Sequence, residues 1–161
     1  MALEHTGGIT VEQLKARVAA IGGTSFRGEL SAAMAATAHR ELLRGFQQSV
    51  DPYGRPWAPV DRFQRLRGRR QGPMQRGKPL IKTNELRASS VAEATPEGFR
   101  VGFASDHSAI HQKGSKKKRG RGGGIRRRQM IPERETGGLG TWKAPLDATA
   151  GKVFKRWGRG R

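Results

Sequence analysis

The chain contains no cysteine, which removes disulfides, thiolate metal sites and cysteine nucleophiles from consideration. Acid is scarce as well: 13 Asp and Glu stand against 32 Lys and Arg, for a formal net charge of +19. None of those acids pairs with another in an apolar setting, the arrangement that splits carboxylate pKa values for acid–base catalysis. Apolar residues make up 34% of the 161 residues, and no apolar run approaches the roughly 20 residues a membrane-spanning helix needs. The opening stretch MALEHTGGIT has neither a basic nor an apolar leader region. A chain made in the cytoplasm, with no membrane partner, is the expectation.

Cofactor and metal signals are equally thin. His107 and His111 are four apart and would share a helix face, but no Glu lies between them and no third ligand is evident. A hydrogen-bonded structural role is expected for them rather than a metal site. The run Gly120-Arg121-Gly122-Gly123-Gly124 lacks the Gly-Lys-Ser/Thr end of a phosphate loop, so it reads as a spacer. These absences point to binding rather than turnover, with no cofactor.

What the chain does hold is clustered positive charge. Arg62 to Lys82 carries eight basic residues and no acid, and Lys113 to Arg128 carries nine, four of them consecutive. Glycine, at 23 residues, is about twice as frequent as usual. Segments of this composition bury too little to order as free chains, so their shape is expected to come from neighbours. The contact candidates are Arg65, Arg67, Arg69 and Arg70 in the first segment. In the second they are Lys116, Lys117, Lys118, Arg119, Arg121, Arg126, Arg127 and Arg128. Phe63 is the one aromatic in either run, which disfavours base stacking and leaves sequence-independent contact with phosphate or with an acidic protein.

The ordered elements follow from periodicity. A short helix is expected from Ile9 to Ile21, capped by Thr10, with Val11, Leu14, Val18 and Ile21 on one stripe. A long one is expected from about Gly28 to Val50, with Leu30, Ala33, Met34, Thr37, Ala38, Leu42, Phe46 and Val50 at three- and four-residue spacing. Its alanines allow a sheet or another subunit to pack close. Three prolines and a glycine between Asp51 and Pro59 exclude a helix or central strand there. Thr83 is expected to cap a helical turn, and Ser89–Ala94 with Phe99–Phe103 reads as a β-hairpin. Ala109-Ile110-His111 begins another extended or helical stretch, and a last helix from about Ala144 to Trp157 would turn Leu146, Val153, Phe154 and Trp157 inward. The fold class is α+β. A long helix in the N-terminal half packs on a small antiparallel sheet, followed by a C-terminal helix, with long basic loops. One domain spans 1–161, with basic insertions at about 62–79 and 113–129.

Four segments in order resemble the phage virion morphogenesis family of Mu-type and tail-completion proteins. Phe46-Gln47-Gln48-Ser49-Val50-Asp51-Pro52-Tyr53-Gly54-Arg55-Pro56-Trp57-Ala58-Pro59 is similar to the family's helix end and "DP.G.PW" turn. Pro79 to Ser89 resembles its "LL.TG.L..S" segment, with Asn84 in place of the usual glycine. Ala109-Ile110-His111-Gln112-Lys113-Gly114 resembles "YA.IHQ.G", and Ile131-Pro132-Glu133-Arg134 resembles "IPAR" with Glu133 as a departure. The matches run from about Phe46 to Trp157.

The resemblance implies a structural subunit of the virion at the head–tail junction, completing or terminating the tail. It would act in a ring, often sixfold, around the DNA channel. The implied partners are further copies of the chain, neighbouring neck or connector proteins, the tail tube protein, and double-stranded DNA. Pro56 and Trp57 would anchor the core, His111 and Gln112 would satisfy nearby backbone groups or bridge subunits, and Gly114, Ile131 and Pro132 complete the motif set. The rival reading is a basic RNA- or DNA-binding accessory protein acting through electrostatic backbone contacts.

Overall fold

The computed structural model describes residues 11–58, 60–62, 65–66, 69–70, 75–77, 80, 84–115, 125, 127–133 and 138–159. Helix α1 (Val11–Gly22) leads through Gly23 into α2 (Thr24–Gln48), the longest element. Helix α2 begins four residues before its expected start. Gly23, extended at φ −74° and ψ 159°, sets the boundary. Gly28 is tolerated inside because Phe26, one turn into the helix, is already buried. The Phe26 ring lies 5.0 Å from that of Phe154 and 5.5 Å from that of Trp157, an aromatic cluster that secures the helix start. At the other end Ser49 turns left-handed (φ 57°) and donates its N–H to Gly45 O, closing the helix before Val50.

The buried stripe of α2 is Phe26, Ser31, Ala35, Thr37, Ala38, Leu42 and Phe46. Thr37, Ala38, Leu42 and Phe46 were legible in the spacing, whereas Leu30, Ala33 and Met34 are only half-buried. The small side chains let two elements approach at once. Helix α5 (Lys143–Gly158) packs on one side, where the Thr37 and Thr149 hydroxyls are 2.9 Å apart. Strands β5 (Ser90–Thr95) and β6 (Gly98–Phe103) pack on the other, where His39 Nε2 lies 2.9 Å from Ser90 Oγ. The hairpin pairs Ser90 with Phe103 through to Thr95 with Gly98. Phe99, Val101 and Phe103 alternate onto the core while Arg100 is exposed.

The core joins Ala38, Leu42, Phe46, Trp57, Leu86, Met130, Trp142 and Leu146. Phe46, with 0% exposure, stands edge-on to Trp57 at 5.5 Å and to Phe103 at 6.0 Å. The turn α3 (Glu85–Ala88) contributes Leu86. It is preceded by Asn84 in the left-handed region at φ 56°, a conformation Asn tolerates better than most residues. The expected cap, Thr83, lies outside the described residues. Leu146 and Val153 of α5 face inward as expected, but Phe154 is 45% exposed and only leans on Phe26. Trp142, at the end of a 3₁₀ turn (Gly140–Trp142), is a core residue that the sequence reading missed.

The first basic segment departs from the loop expected of it. Strand β1 (Val60–Arg62) pairs antiparallel with β4 (Gln75–Gly77), and between them β2 (Arg65–Leu66) pairs with β3 (Arg69–Arg70). The result is a two-stranded ribbon, separate from the β5–β6 hairpin. Backbone pairing needs no apolar alternation, so the hydrophobic pattern gave no sign of it.

Candidate functional site: a motif-built clamp beside the basic segments

The turn after α2 is built around Asp51. Its buried carboxylate accepts the N–H groups of Tyr53 (2.8 Å) and Arg55 (2.9 Å), and the Arg55 guanidinium at 2.7 Å. Val50 and Pro56 form a β-bridge, and Trp57 N donates to Ser49 O at 2.8 Å. The rigid Pro56 thus delivers Trp57 onto Phe46, as its place in the sequence suggests, and the indole Nε1 donates to Gln129 O at 3.0 Å. Asp51 and Tyr53 were not singled out in the sequence, yet both hold this turn. The Tyr53 hydroxyl lies 3.2 Å from Glu133 O, Gly138 O and Glu133 N, tying the turn to the segment beyond Met130.

Opposite this turn lies α4 (His107–Lys113). Gln112 acts as a length of strand. Its Oε1 accepts the N–H groups of Met130 (2.8 Å) and Ile131 (3.2 Å), and its Nε2 donates to Ile131 O and Glu133 Oε1, both at 2.9 Å. The backbone role expected of Gln112 is what the geometry shows. Pro132, half-buried, follows directly. Glu133, the departure from the family pattern, also accepts Arg127 Nη2 at 2.5 Å. Gly114 closes α4 at φ 76°, and a Cβ there would lie 3.0 Å from Arg127 N and 3.1 Å from Ile125 O. Close backbone approach explains that glycine.

His111 divides its roles. Its carbonyl accepts Arg128 N at 2.8 Å, but the buried Nδ1 has no hydrogen-bond partner among the described residues. The expected side-chain hydrogen bond is therefore absent at that atom. Burial first, then the charges of Arg128 and His107, hold its pKa below the usual histidine value. Because the folded-state pKa is depressed, the stability from keeping this ring neutral is complete above the unfolded value of about 6.5. It is lost as pH falls toward the folded pKa, since the unfolded chain takes up a proton that the fold refuses. Urea denaturation between pH 7 and pH 5 should show wild-type stability falling, with a shallower fall in His111→Leu. Parallel curves would show that the acid sensitivity lies elsewhere.

The basic candidates separate into three groups. Arg127 and Arg128 belong to the body. The Arg127 Nε donates to Gln112 O at 3.2 Å, and Arg128, 7% exposed, donates from Nε and Nη2 to Ala58 O at 3.4 and 3.3 Å. A charge run had made both read as solvated; a free carbonyl brought close by the Trp57 turn is the reason they are not. Arg65, Arg69 and Arg70 stand in the paired strands of the ribbon. Arg67, Lys116, Lys117, Lys118, Arg119, Arg121 and Arg126 lie outside the described residues. The second basic segment leaves and rejoins the body at one point. There Ser115 N donates to Ile125 O and Ile125 N to Ser115 Oγ, each at 2.9 Å.

Among the described residues there is no group of three or more His, Asp or Glu able to hold a metal ion. No described helix is long and apolar enough to cross a membrane. What this site does is join: motif residues far apart in sequence satisfy one another's backbone and lock the chain. That is the construction of a structural, assembly protein. The chain belongs to the phage virion morphogenesis family, whose model matches residues 9–144. The match takes in α1 and α2 as well as the four motif segments, and it ends at the second residue of α5. No curated protein and no solved structure matches the chain. The protein is thus a virion-associated structural protein of a bacteriophage.

Proposed function

We propose that the protein completes or terminates the phage tail at the head–tail neck, as one subunit of a ring, sixfold in the simplest case, around the DNA channel. The observation that carries this reading is the family match over 9–144, in which all four motif segments build the body rather than a reaction centre. A ring needs a heterologous interface, with two different patches on each subunit. Exposed Val18, Val91, Ile110 and Phe154 supply apolar surface beyond what the core uses. The neighbours in the particle are neck or connector proteins and the tail tube protein. Lys116, Lys117, Lys118, Arg119, Arg121 and Arg126 gain their partners there, after synthesis in the host cytoplasm.

Deleting the gene should yield filled heads beside unattached tails, counted by electron microscopy of the lysate. Replacing Lys116–Arg119 with serine in the intact phage should reduce joined particles while the purified variant keeps its circular-dichroism spectrum. Normal infectious particles from the deletion would remove the neck assignment. A chain that binds RNA tightly as a monomer and leaves assembly untouched would return the protein to the class of basic accessory factors.

A further inference from the structure

The ribbon carries a problem of its own making. Between Val60 and Gly77 the chain has six arginines, no lysine, and a single acid, Asp61. The register sets Asp61 across from Arg76 at the base, but farther out it sets Arg65 directly across from Arg70 and Leu66 across from Arg69. Like charges directly opposite on a strand pair destabilise it, and an isolated two-stranded hairpin is marginal in water even without them. Among the described residues the ribbon pairs with itself alone, so no third strand offsets the repulsion. An anion-rich partner would.

The placement of the charges says which partner. Cross-strand partners share a face and successive residues alternate, so Arg65 and Arg70 belong to one face and Arg69 to the other. The flat surface of an acidic protein could neutralise one face. A duplex groove is walled on two sides by phosphate, and the major groove, about 12 Å wide, admits a two-stranded β-ribbon. The exclusive use of arginine fits phosphate, which its planar fork grips at two oxygens. A single strand is disfavoured, because base stacking needs aromatic platforms and Phe63 is the ribbon's only aromatic residue. From the ribbon's apex to its base is about 25 Å at 3.3 Å per residue, most of the roughly 34 Å of one duplex turn.

We infer that the 60–77 ribbon is a docking element for double-stranded DNA, gripping its phosphates without reading sequence and becoming stable as it does so. The inference goes beyond the ring and does not require it. Its test uses the purified full-length chain, so failure would leave the head–tail role standing.

Binding to labelled 30-base-pair duplexes of unrelated sequence would be followed by fluorescence anisotropy over a range of salt concentrations. A variant with Arg62, Arg65, Arg69 and Arg70 all replaced by serine should bind with a log K against log salt slope shallower by about 3 to 4, from about 0.9 per lost phosphate contact. The matching lysine variant should keep most of the slope, and tryptophan fluorescence should show both variants folded. An unchanged slope in the serine variant would overturn the inference. So would a single strand of equal length binding as tightly as duplex. Displacement of duplex by polyglutamate, charge for charge, would assign the ribbon to an acidic protein instead.

Discussion

A Gly140→Ala variant should melt about 10 °C below the wild type, the shift expected for a loss of about 4 kcal/mol in a chain of this length. Gly140 has φ +54°, and a Cβ there would fall 2.3 Å from Pro52 O and 2.8 Å from Tyr53 Cδ1. Neither neighbour can retreat. The Pro52 carbonyl accepts Thr141 N at 2.7 Å and Thr141 Oγ1 at 2.9 Å, and the residue before it is pinned by Asp51 N donating to Arg55 O at 2.8 Å. The Tyr53 ring is held at its hydroxyl end by Glu133 and Gly138. The added methyl must therefore separate the start of α5, with Trp142, from the turn that seats Trp57. Overpacking and left-handed backbone strain each cost about 1–3 kcal/mol. Gly138 provides the control, since it has φ +70° but open space where its Cβ would be. Gly138→Ala should lose only the backbone part, about 1–2 kcal/mol. Equal losses in calorimetry would show that the contact with Pro52 is not the cause.

That pair of glycines also marks where sequence reading stops. Leu42 and Phe46 announce α2 through their spacing, Phe99 to Phe103 announce β6 through alternation, and Pro56 announces the delivery of Trp57. Each signal is local, carried by the residue and its near neighbours. Gly140 is required by a carbonyl 88 positions earlier in the chain, and no window short enough to scan would relate them. Met130 and Trp142 sit among glycines, prolines and charges, so neither belongs to an apolar period, though both are in the core. Arg128 fails in the opposite direction. Its neighbours in sequence are basic, which predicts solvent, but its neighbours in space include Ala58 O, which predicts burial. The candidate site was legible to the extent that the family motifs named Pro56, Trp57, Gln112 and Gly114. What Gln112 and Gly114 touch was not legible, because their partners lie on the far side of the second basic segment.

Those partners make Gln112 the second position with a large expected effect. Gln112→Ala should cost about 3 kcal/mol, because it leaves the N–H groups of Met130 and Ile131 and the carbonyl of Ile131 without their side-chain partner, at about 1–3 kcal/mol for each buried group left unmade. A cavity alone would cost less, so Gln112→Glu separates the two contributions. It fills the same space and still accepts from Met130 N and Ile131 N. As a carboxylate, however, it cannot donate to Ile131 O and it stands beside Glu133. Both neighbours favour its protonated form, so the introduced group has a folded pKa above the ordinary glutamate value of about 4.3. A raised folded pKa means stability that is present at low pH and lost as pH rises through that value. The deficit of Gln112→Glu against wild type should therefore be largest at pH 7 and shrink toward pH 5, opposite in sign to the His111 effect next door. A deficit that ignores pH, or a Gln112→Ala loss below about 1 kcal/mol, within the range of one ordinary hydrogen bond, would mean that the Met130–Glu133 segment holds its course unaided. In that case Gln112 would be free for a neighbouring subunit.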